Sequence, residues 1–212
     1  MKLNNLVFVS GPQASGKSTF IRRLIQEIPY AISPETITKS PQFYWGGAEE
    51  VIETDFFHRQ ALKHAQRAFE SYEYFIQALK HPEKLIIGDR CIYDSQIYRE
   101  MNIRQGWLTR EQDQEIGEKL NILNRPEVDE PYCIVLNPGF ETCLAHLEKR
   151  WEETGWIKFR ETDTDYLRTV CECFEDLQGQ DHTFYIGQTP NKETLENLKE
   201  WIEFWFLLQP SR

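Results

Sequence analysis

Apolar and polar residues follow one another along the chain in a pattern that predicts strands separated by helices. Five short apolar runs have the length and composition of buried strands, at Leu6–Ser10, 30–33, 85–88, Tyr132–Leu136 and Thr183–Ile186. The longer segments between them carry apolar residues at every third or fourth position, the period of a helix that buries one face. Strands that alternate with helices favour a parallel sheet covered on both faces, so we predict an α/β, doubly wound fold.

The predicted helices each follow a strand or a turn signal. The first begins directly after residues 11–17 and ends before Pro29, because proline cannot continue a helix. The longest covers 54–79, and Thr109 with Gln112 matches a capping box that opens another helix. Further helices are predicted at 141–151, at 166–177 and from Thr189-Pro190 through Phe206.

The turn after the first strand matches the phosphate-binding pattern G-x-x-x-x-G-K-[ST], as GPQASGKS in residues 11–18. In this pattern backbone N–H groups and a helix N-terminus face phosphate oxygens, Lys17 reaches the β- and γ-phosphates, and the Ser18 hydroxyl ligates Mg²⁺. An ordinary glycine-rich turn has no need of a Lys-Ser pair here. We therefore predict an ATP site with Mg²⁺. Its predicted residues are Gly11, Gln13, Ala14, Ser15, Gly16, Lys17, Ser18 and Thr19.

A second pair of candidate residues, Asp89-Arg90, follows the third predicted strand. Ligands of open α/β sheets bind at the carboxyl ends of the strands, where the Asp89 carboxylate would join Ser18 at Mg²⁺. Arg90 would point along the same edge toward the acceptor or the transferring phosphoryl group. The alternative makes Asp89 a helix cap and Arg90 a solvated partner. Beside a phosphate-binding loop, we prefer the metal site.

The order of phosphate loop, strand and Asp-Arg resembles the thymidylate kinase and deoxynucleoside kinase superfamily. The segments ISPETITKSP (32–41), DRCIYDSQIY (89–98) and NPGFETCLAHLEKR (137–150) resemble it as well. The resemblance implies that Glu35 is the base on the nucleoside hydroxyl, that Asp94 is the candidate base-reading carboxylate, and that Arg150 contacts phosphate.

The resemblance also implies a helical lid at about residues 150–165. KFRETDTDYLRTVCECFEDL (158–177) is similar to the lid and its following helix, with Lys158, Arg160 and Glu161 as lid candidates. The implied fold is a single P-loop kinase domain over residues 1–212, with a parallel five-stranded sheet.

The chemistry of the acceptor distinguishes the branches of this superfamily. A neutral sugar hydroxyl benefits from a carboxylate base, which Glu35 would supply. A monophosphate acceptor is already ionised and needs cations, for which Arg59 is the candidate. We predict ATP- and Mg²⁺-dependent transfer to the 5'-hydroxyl of a deoxynucleoside. The predicted catalytic residues are Lys17, Glu35, Arg90 and Arg150, with Arg150 and Arg160 also on the donor.

Three alternatives stay open at this point. One is a nucleoside monophosphate kinase on the same scaffold. Another is a nucleotide-binding ATPase module that switches a partner protein. The third, a polynucleotide 5'-kinase, is disfavoured by the net charge of -10, which would repel a long nucleic acid.

Composition completes the expectations about partners and compartment. No apolar run approaches the roughly 20 residues that span a bilayer, so no membrane partner is expected. Five cysteines without a CxxC pair fit reduced thiols that pack in a cytoplasmic protein. The apolar stripe of the last helix either covers the sheet or joins a second copy. We prefer the core for this stripe, and the six tryptophans leave room for a homodimer.

Overall fold

Five parallel strands form one sheet in the described part of the chain. The computed structural model describes residues 3–34, 56–90, 92–120, 132–155, 157 and 160–207. The sheet order is β2-β3-β1-β4-β5, and every paired strand runs parallel to its neighbour. The strands are β1 (Leu6–Ser10), β2 (Ala31–Ile32), β3 (Leu85–Asp89), β4 (Tyr132–Leu136) and β5 (Thr183–Ile186).

Helices connect successive strands and cover the two faces of the sheet. In chain order they are α1 (Lys17–Glu27), α2 (Phe56–Lys80), α3 (Ile92–Arg104), α4 (Arg110–Leu120), α5 (Phe140–Thr154), α6 (Thr164–Glu175) and α7 (Lys192–Leu207). No helix among the described residues is long and apolar enough to cross a bilayer. The α/β fold predicted from the alternation of strands and helices is confirmed.

The two faces of the sheet bury different sets of side chains. Because neighbouring residues of a strand point to opposite faces, Val7 and Val9 of β1 pack toward α1 and α7, while Leu6 and Phe8 pack toward α2, α3 and α6. A smaller cluster joins α5 to α6. It consists of Cys143, Leu147, Leu167 and Cys171, with Ala14 of the phosphate loop packed against it.

The last helix covers the sheet, which is the arrangement that we preferred for its apolar stripe. Leu195, Leu198 and Ile202 of α7 are buried in the core with α1, so this stripe is not available to a second copy. The four described cysteines are free and buried, in agreement with packing residues.

Helix α3 is the element that the sequence pattern did not predict. It packs against both α2 and α6, so its buried residues lie on several sides instead of forming one stripe. These buried residues include the polar Asp94, Ser95 and Asn102 beside the apolar Met101. By contrast, the predicted capping box is observed, because the Gln112 amide donates to Thr109 Oγ1 at 3.2 Å and Gln112 Oε1 accepts from the Thr109 amide at 3.0 Å.

The parallel sheet brings distant parts of the sequence to one edge. β1 lies between β3 and β4, with Val9 in register with Asp89 and Ser10 in register with Val135. The turns that leave β1, β3, β4 and β5 therefore all meet at the carboxyl edge, where open α/β sheets bind ligands.

Candidate active site

The phosphate loop, residues 11–18, is shaped by backbone conformations that few residues adopt. A Cβ added at Gly11 (φ 147°) would overlap the carbonyl oxygen of Leu136 on β4. Gly16 (φ 93°) precedes α1 in the left-handed region, and Ala14 adopts φ 58°, which is unusual for a residue with a side chain. The loop therefore lies tightly against the end of β4 and leads directly into α1.

Lys17 is buried beneath the loop, and the backbone carbonyls of the loop hold its ammonium group. Nζ donates to the carbonyl oxygens of Gly11 at 2.8 Å and Pro12 at 2.6 Å. Burial, with the nearby Arg90 guanidinium acting in the same direction, lowers the pKa of Lys17 to about 7, although Asp94 and Asp89 act in the opposite direction. A phosphate group beside Nζ would stabilise the charged form.

The two predicted metal ligands are both hard oxygen donors. Ser18 lies exposed in the first turn of α1, and Asp89 ends β3 in register with Val9. No cluster of three or more His, Cys, Asp or Glu side chains with metal-binding geometry occurs in the described ranges. Mg²⁺ commonly takes one or two protein oxygens and completes its shell with phosphate and water. A hydroxyl and a carboxylate at one sheet edge therefore fit Mg²⁺ that arrives with a nucleotide.

Arg90 is a half-buried cation next to these groups. Its backbone is left-handed (φ 69°), and its amide continues the sheet ladder by donating to the Val9 carbonyl at 3.0 Å. Burial alone would lower the pKa of Arg90, but Tyr98, Asp94 and Asp89 together raise it. Arg90 thus keeps its charge within the group that contains Lys17 and the two aspartates.

Asp94 and Tyr98 of α3 contact the phosphate loop and the strand before it. The Ser10 hydroxyl donates to Asp94 Oδ2 at 2.6 Å, and both residues are fully buried. One helical turn later, the Tyr98 hydroxyl donates to Gln13 Oε1 at 3.1 Å. Asp94, for which the resemblance implied contact with a base, thus lies at the end of β1.

The predicted lid cations are each held by a side chain. Arg150, near the end of α5, forms an ion pair with the buried Glu161. The Arg160 guanidinium lies over the Trp107 ring, 3.6 Å from its centroid. On the same helix as Arg150, His146 Nδ1 donates to the Ala14 carbonyl at 2.8 Å, so α5 is hydrogen-bonded to the phosphate loop.

Three candidate groups lie outside the part of the chain that the structure describes. They are Glu35, Lys158 and the side chain of Arg59.

A buried polar cluster between α2, α3 and α4 was not found by sequence analysis. The Ser95 hydroxyl is hydrogen-bonded to His64 Nδ1, and Arg99 Nε contacts Asp113 Oδ1 at 2.8 Å. Burial lowers the pKa of His64 to about 4, helped by Arg99, so the imidazole is neutral at pH 7. Glu70 of α2 is also buried and pairs with Arg67.

A cavity of ≈ 440 Å³ opens at the carboxyl edge of the sheet, beyond β5. It lies between the end of β5 and the first turns of α7, and Tyr185, Gly187, Gln188, Asn191 and Thr194 are among its lining residues. Tyr185 is tied to the end of β4, because Asn137 Nδ2 donates to its hydroxyl oxygen at 3.0 Å.

The deoxynucleoside kinase family model matches residues 7–200, which include the phosphate loop, the end of β3 and the predicted lid. The chain belongs to the deoxynucleoside kinase family. It is therefore a nucleoside-phosphorylating enzyme of the deoxynucleoside kinase type, and the expectation of a kinase is confirmed. No curated protein matches the chain at a significant level.

Solved structures show the same fold at low sequence identity. A deoxyadenosine kinase from M. mycoides with bound dATP aligns with a TM-score of 0.63 and 19% identity, covering 93% of this chain and 99% of that one. The same enzyme with bound dCTP aligns at 0.60 and 16%, covering 93% and 98%. Both alignments cover 93% of this chain, so the likeness in fold is not confined to one part of it.

Sequence analysis missed the side chains that support the predicted site. Ser10, Tyr98, His146 and Trp107 each contact a predicted residue or its neighbour from another element. No local spacing marks these residues, because their partners lie tens of residues away. If α3 had been predicted, Asp94 and Tyr98 would have been placed on one helix face, and this shared face was the one sequence signal for their contacts with the loop.

Proposed function

We propose that the protein transfers the γ-phosphoryl group of ATP, with Mg²⁺, to the 5'-hydroxyl of a deoxynucleoside. The observation that carries this proposal is the group of charged side chains at the carboxyl edge of β1 and β3. Lys17, Asp89 and Arg90 lie there together, directly beside a phosphate loop, in a chain of the deoxynucleoside kinase family.

The donor side of the reaction follows from the loop. Loop amides and Lys17 would hold the β- and γ-phosphates, and Lys17 would exchange the Gly11 and Pro12 carbonyls for phosphate oxygens. Ser18 and Asp89 would hold Mg²⁺, which supplies charge neutralisation between the phosphate oxygens when bound. Arg150 and Arg160 would stabilise the charge that develops during transfer.

The acceptor side depends on a base and a cation. Glu35 would take the proton from the 5'-hydroxyl oxygen as that oxygen attacks the γ-phosphorus, and the bond from phosphorus to the β,γ-bridging oxygen of ATP would break. Arg90 would orient the acceptor oxygen from the end of β3. Both roles remain proposals, and Glu35 lies outside the described residues.

The cavity beyond β5 is a suitable binding site for the adenine ring of the donor ATP. β5 is separated from β1 by β4 alone, a lateral distance of about 10 Å at the usual strand spacing. A triphosphate held at the loop would therefore lie within one nucleotide length of this cavity. Polar Gln188, Asn191 and Thr194 offer hydrogen bonds to an adenine edge.

A cytoplasmic homodimer is part of the proposal. Because the apolar stripe of α7 is buried in the core, we place the dimer interface on α2 instead. Phe69 (52% exposed), Tyr72 and Leu79 are exposed large hydrophobic residues at helical spacing on α2. A helix of a second copy would cover such a stripe. Analytical ultracentrifugation should show a dimer that a Phe69→Glu substitution dissociates. A monomeric wild-type protein would contradict this assembly.

The acceptor class is tested by assaying four deoxynucleosides and their 5'-monophosphates with ATP and Mg²⁺. Phosphorylation of at least one deoxynucleoside, with the monophosphates inactive, is the expected result. Phosphorylation of monophosphates alone would identify a nucleoside monophosphate kinase instead. ATP turnover that no acceptor alters would support the switch-type ATPase module.

The base is tested separately with Glu35→Gln, which keeps the size of the side chain. We expect turnover to fall about 10²-fold or more while the Kd of ATP stays within a factor of two, because the base acts on the acceptor. Unchanged turnover would remove Glu35 from the mechanism.

A further inference from the structure

Two side chains of α3 reach the phosphate loop from the side of the sheet that carries Arg90. Asp94 accepts a hydrogen bond from Ser10, the last residue of β1, and Tyr98 donates one to Gln13 in the middle of the loop. Residues four positions apart lie on one face of a helix, so both contacts come from a single surface of α3. This surface is separated from Arg90 by only a few residues of sequence.

The two contacts enclose the part of the loop that holds Lys17. Gly11 and Pro12, whose carbonyl oxygens accept from Nζ, stand between Ser10 and Gln13. Their backbone positions determine where the ammonium group lies and where the neighbouring amides point. A shift at either end of this segment would therefore change the geometry presented to a phosphate.

Burial makes the contact of Asp94 a strong one. Ser10 is fully buried and Asp94 is 1% exposed, so the hydrogen bond at 2.6 Å is charge-assisted and shielded from water. Tyr98 is half-buried, with its ring edge-on to Phe174 of α6 at a centroid distance of 6.2 Å. The packing of α3 between α2 and α6 thus fixes both side chains before any ligand binds.

We propose that Asp94 and Tyr98 are positioning residues that hold the phosphate loop in its nucleotide-binding geometry through Ser10 and Gln13. The proposal rests on the proposed function in taking ATP as the ligand of the loop. Neither residue needs to contact ATP, because each acts on the loop backbone through one side chain.

The first experiment removes the Tyr98 hydroxyl and its acceptor, singly and together. Calorimetry without any acceptor nucleoside measures the Kd of ATP for Tyr98→Phe, Gln13→Leu and the double variant. We expect Tyr98→Phe to raise the Kd about fivefold, the effect of one hydrogen bond, and to add no further loss in a Gln13→Leu background. Multiplicative losses in the double variant, or no change in Tyr98→Phe, would overturn the role of Tyr98.

The second experiment separates the Asp94 hydrogen bond from its charge. Asn at position 94 still offers an oxygen to the Ser10 hydroxyl, whereas Ala does not. We expect Asp94→Ala to raise the Kd of ATP more than tenfold and Asp94→Asn to raise it less than threefold. Equal losses in both variants would mean that charge beside Lys17 is what matters, which overturns positioning by Asp94. If Asp94→Ala does not fold, Ser10→Ala removes the same bond and should raise the Kd by a similar factor.

Controls distinguish positioning from a general loss of structure. Tyr74→Phe removes another buried tyrosine hydroxyl, from α2, and should leave the Kd of ATP unchanged. In steady-state assays the Tyr98→Phe variant should show a raised KM for ATP with the KM for the deoxynucleoside and kcat near wild type. Equal rises in both KM values would overturn the proposal. A wild-type protein that binds ATP but phosphorylates no deoxynucleoside would refute the proposed function and still allow the calorimetric test.

Discussion

The phosphate loop (11–18) and the predicted lid (150–165) both contain predicted phosphate-binding cations, but the two regions hold these cations differently. Lys17 is buried and bound by carbonyl oxygens of its own loop, whose path is set by Gly11 and Gly16. Arg150 and Arg160 are held by Glu161 and Trp107, side chains that come from elsewhere in the chain. The backbone thus fixes the loop cation, while exchangeable partners hold the lid cations.

This difference predicts how strongly each region depends on a single residue. A cation held by backbone has no replacement when its side chain or its turn is changed. A cation held by one side-chain partner can find another, including a phosphate. We therefore expect loop substitutions to abolish nucleotide binding and lid substitutions to adjust it.

The largest effect is expected for Lys17→Ala. Loss of the cation that would stabilise the transferring phosphoryl group should lower kcat/KM about 10³-fold, or about 4 kcal/mol. Steady-state kinetics with varied ATP measure it, and circular dichroism should show a folded variant. If the loss in kcat/KM were no larger than that of Arg150→Ala, the loop cation would be no less replaceable than the lid cations, and the comparison would be wrong.

A similar but smaller loss is expected for Gly11→Ala. The new Cβ would overlap the Leu136 carbonyl oxygen, so the loop must move away from β4, at a cost of about 2–3 kcal/mol. We expect the Kd of ATP to rise at least 30-fold in calorimetry, together with a lower melting temperature. Gly139→Ala is the matched control, since a Cβ there meets no atom within 4 Å although its φ is also positive (89°). Equal losses in the two variants would attribute the effect to backbone conformation alone.

For the lid, Glu161→Gln should reduce stability more than activity. Glu161 is buried and its ion pair with Arg150 is only partly exposed, so breaking it should cost about 2 kcal/mol of unfolding free energy. Thermal unfolding with and without ATP provides the measurement. We expect ATP to restore part of the loss, because phosphate oxygens replace the missing carboxylate at Arg150. A loss that ATP leaves unchanged would contradict the idea of an exchangeable partner.

The smallest effect is expected at the stacked pair of Arg160 and Trp107. Replacing Trp107 with Leu removes the aromatic face, a contribution of about 0.5–1 kcal/mol, and should change the KM for ATP by less than fivefold. Trp107→Phe keeps an aromatic ring, so its KM for ATP should lie between those of the wild type and the Trp107→Leu variant. A change above tenfold would place Arg160 among the cations that cannot be replaced.

The same distinction explains how much of the fold and the site the sequence could predict. The phosphate loop is one contiguous segment, and its glycines are required by the local backbone conformation. Residues 11–18 could therefore be predicted from the sequence motif alone. Four of the strands were evident as short apolar runs, whereas the second had a weaker signal at 30–33 and is only two residues long, Ala31–Ile32. Helix α3 was missed, since its packing between α2 and α6 buries polar residues such as Asp94 and Ser95 and removes the one-sided pattern. With α3 missing, its contacts with Ser10 and Gln13 could not be foreseen.

Partners of the lid were hidden for the same physical reason. Glu161 was grouped with the lid cations as a candidate, and the structure places it as the partner of Arg150. Trp107 is 53 residues from Arg160 by their numbers in the chain, and the packing of α3 on α6, with Trp107 stacked on Tyr166, brings the two together. The roles assigned to Glu35, Arg90 and Arg150 remain predictions for the experiments above.

The central position of β1 in the sheet has a consequence for the spacing of the proposed site. With β3 on one flank and β4 on the other, the phosphate loop that follows β1 and the Asp89-Arg90 pair that follows β3 lie on neighbouring strands. Their separation is therefore built into the hydrogen-bond ladder, about 5 Å per strand, and does not depend on a hinge. The proposed donor and acceptor sites are thus one strand spacing apart in the folded sheet itself.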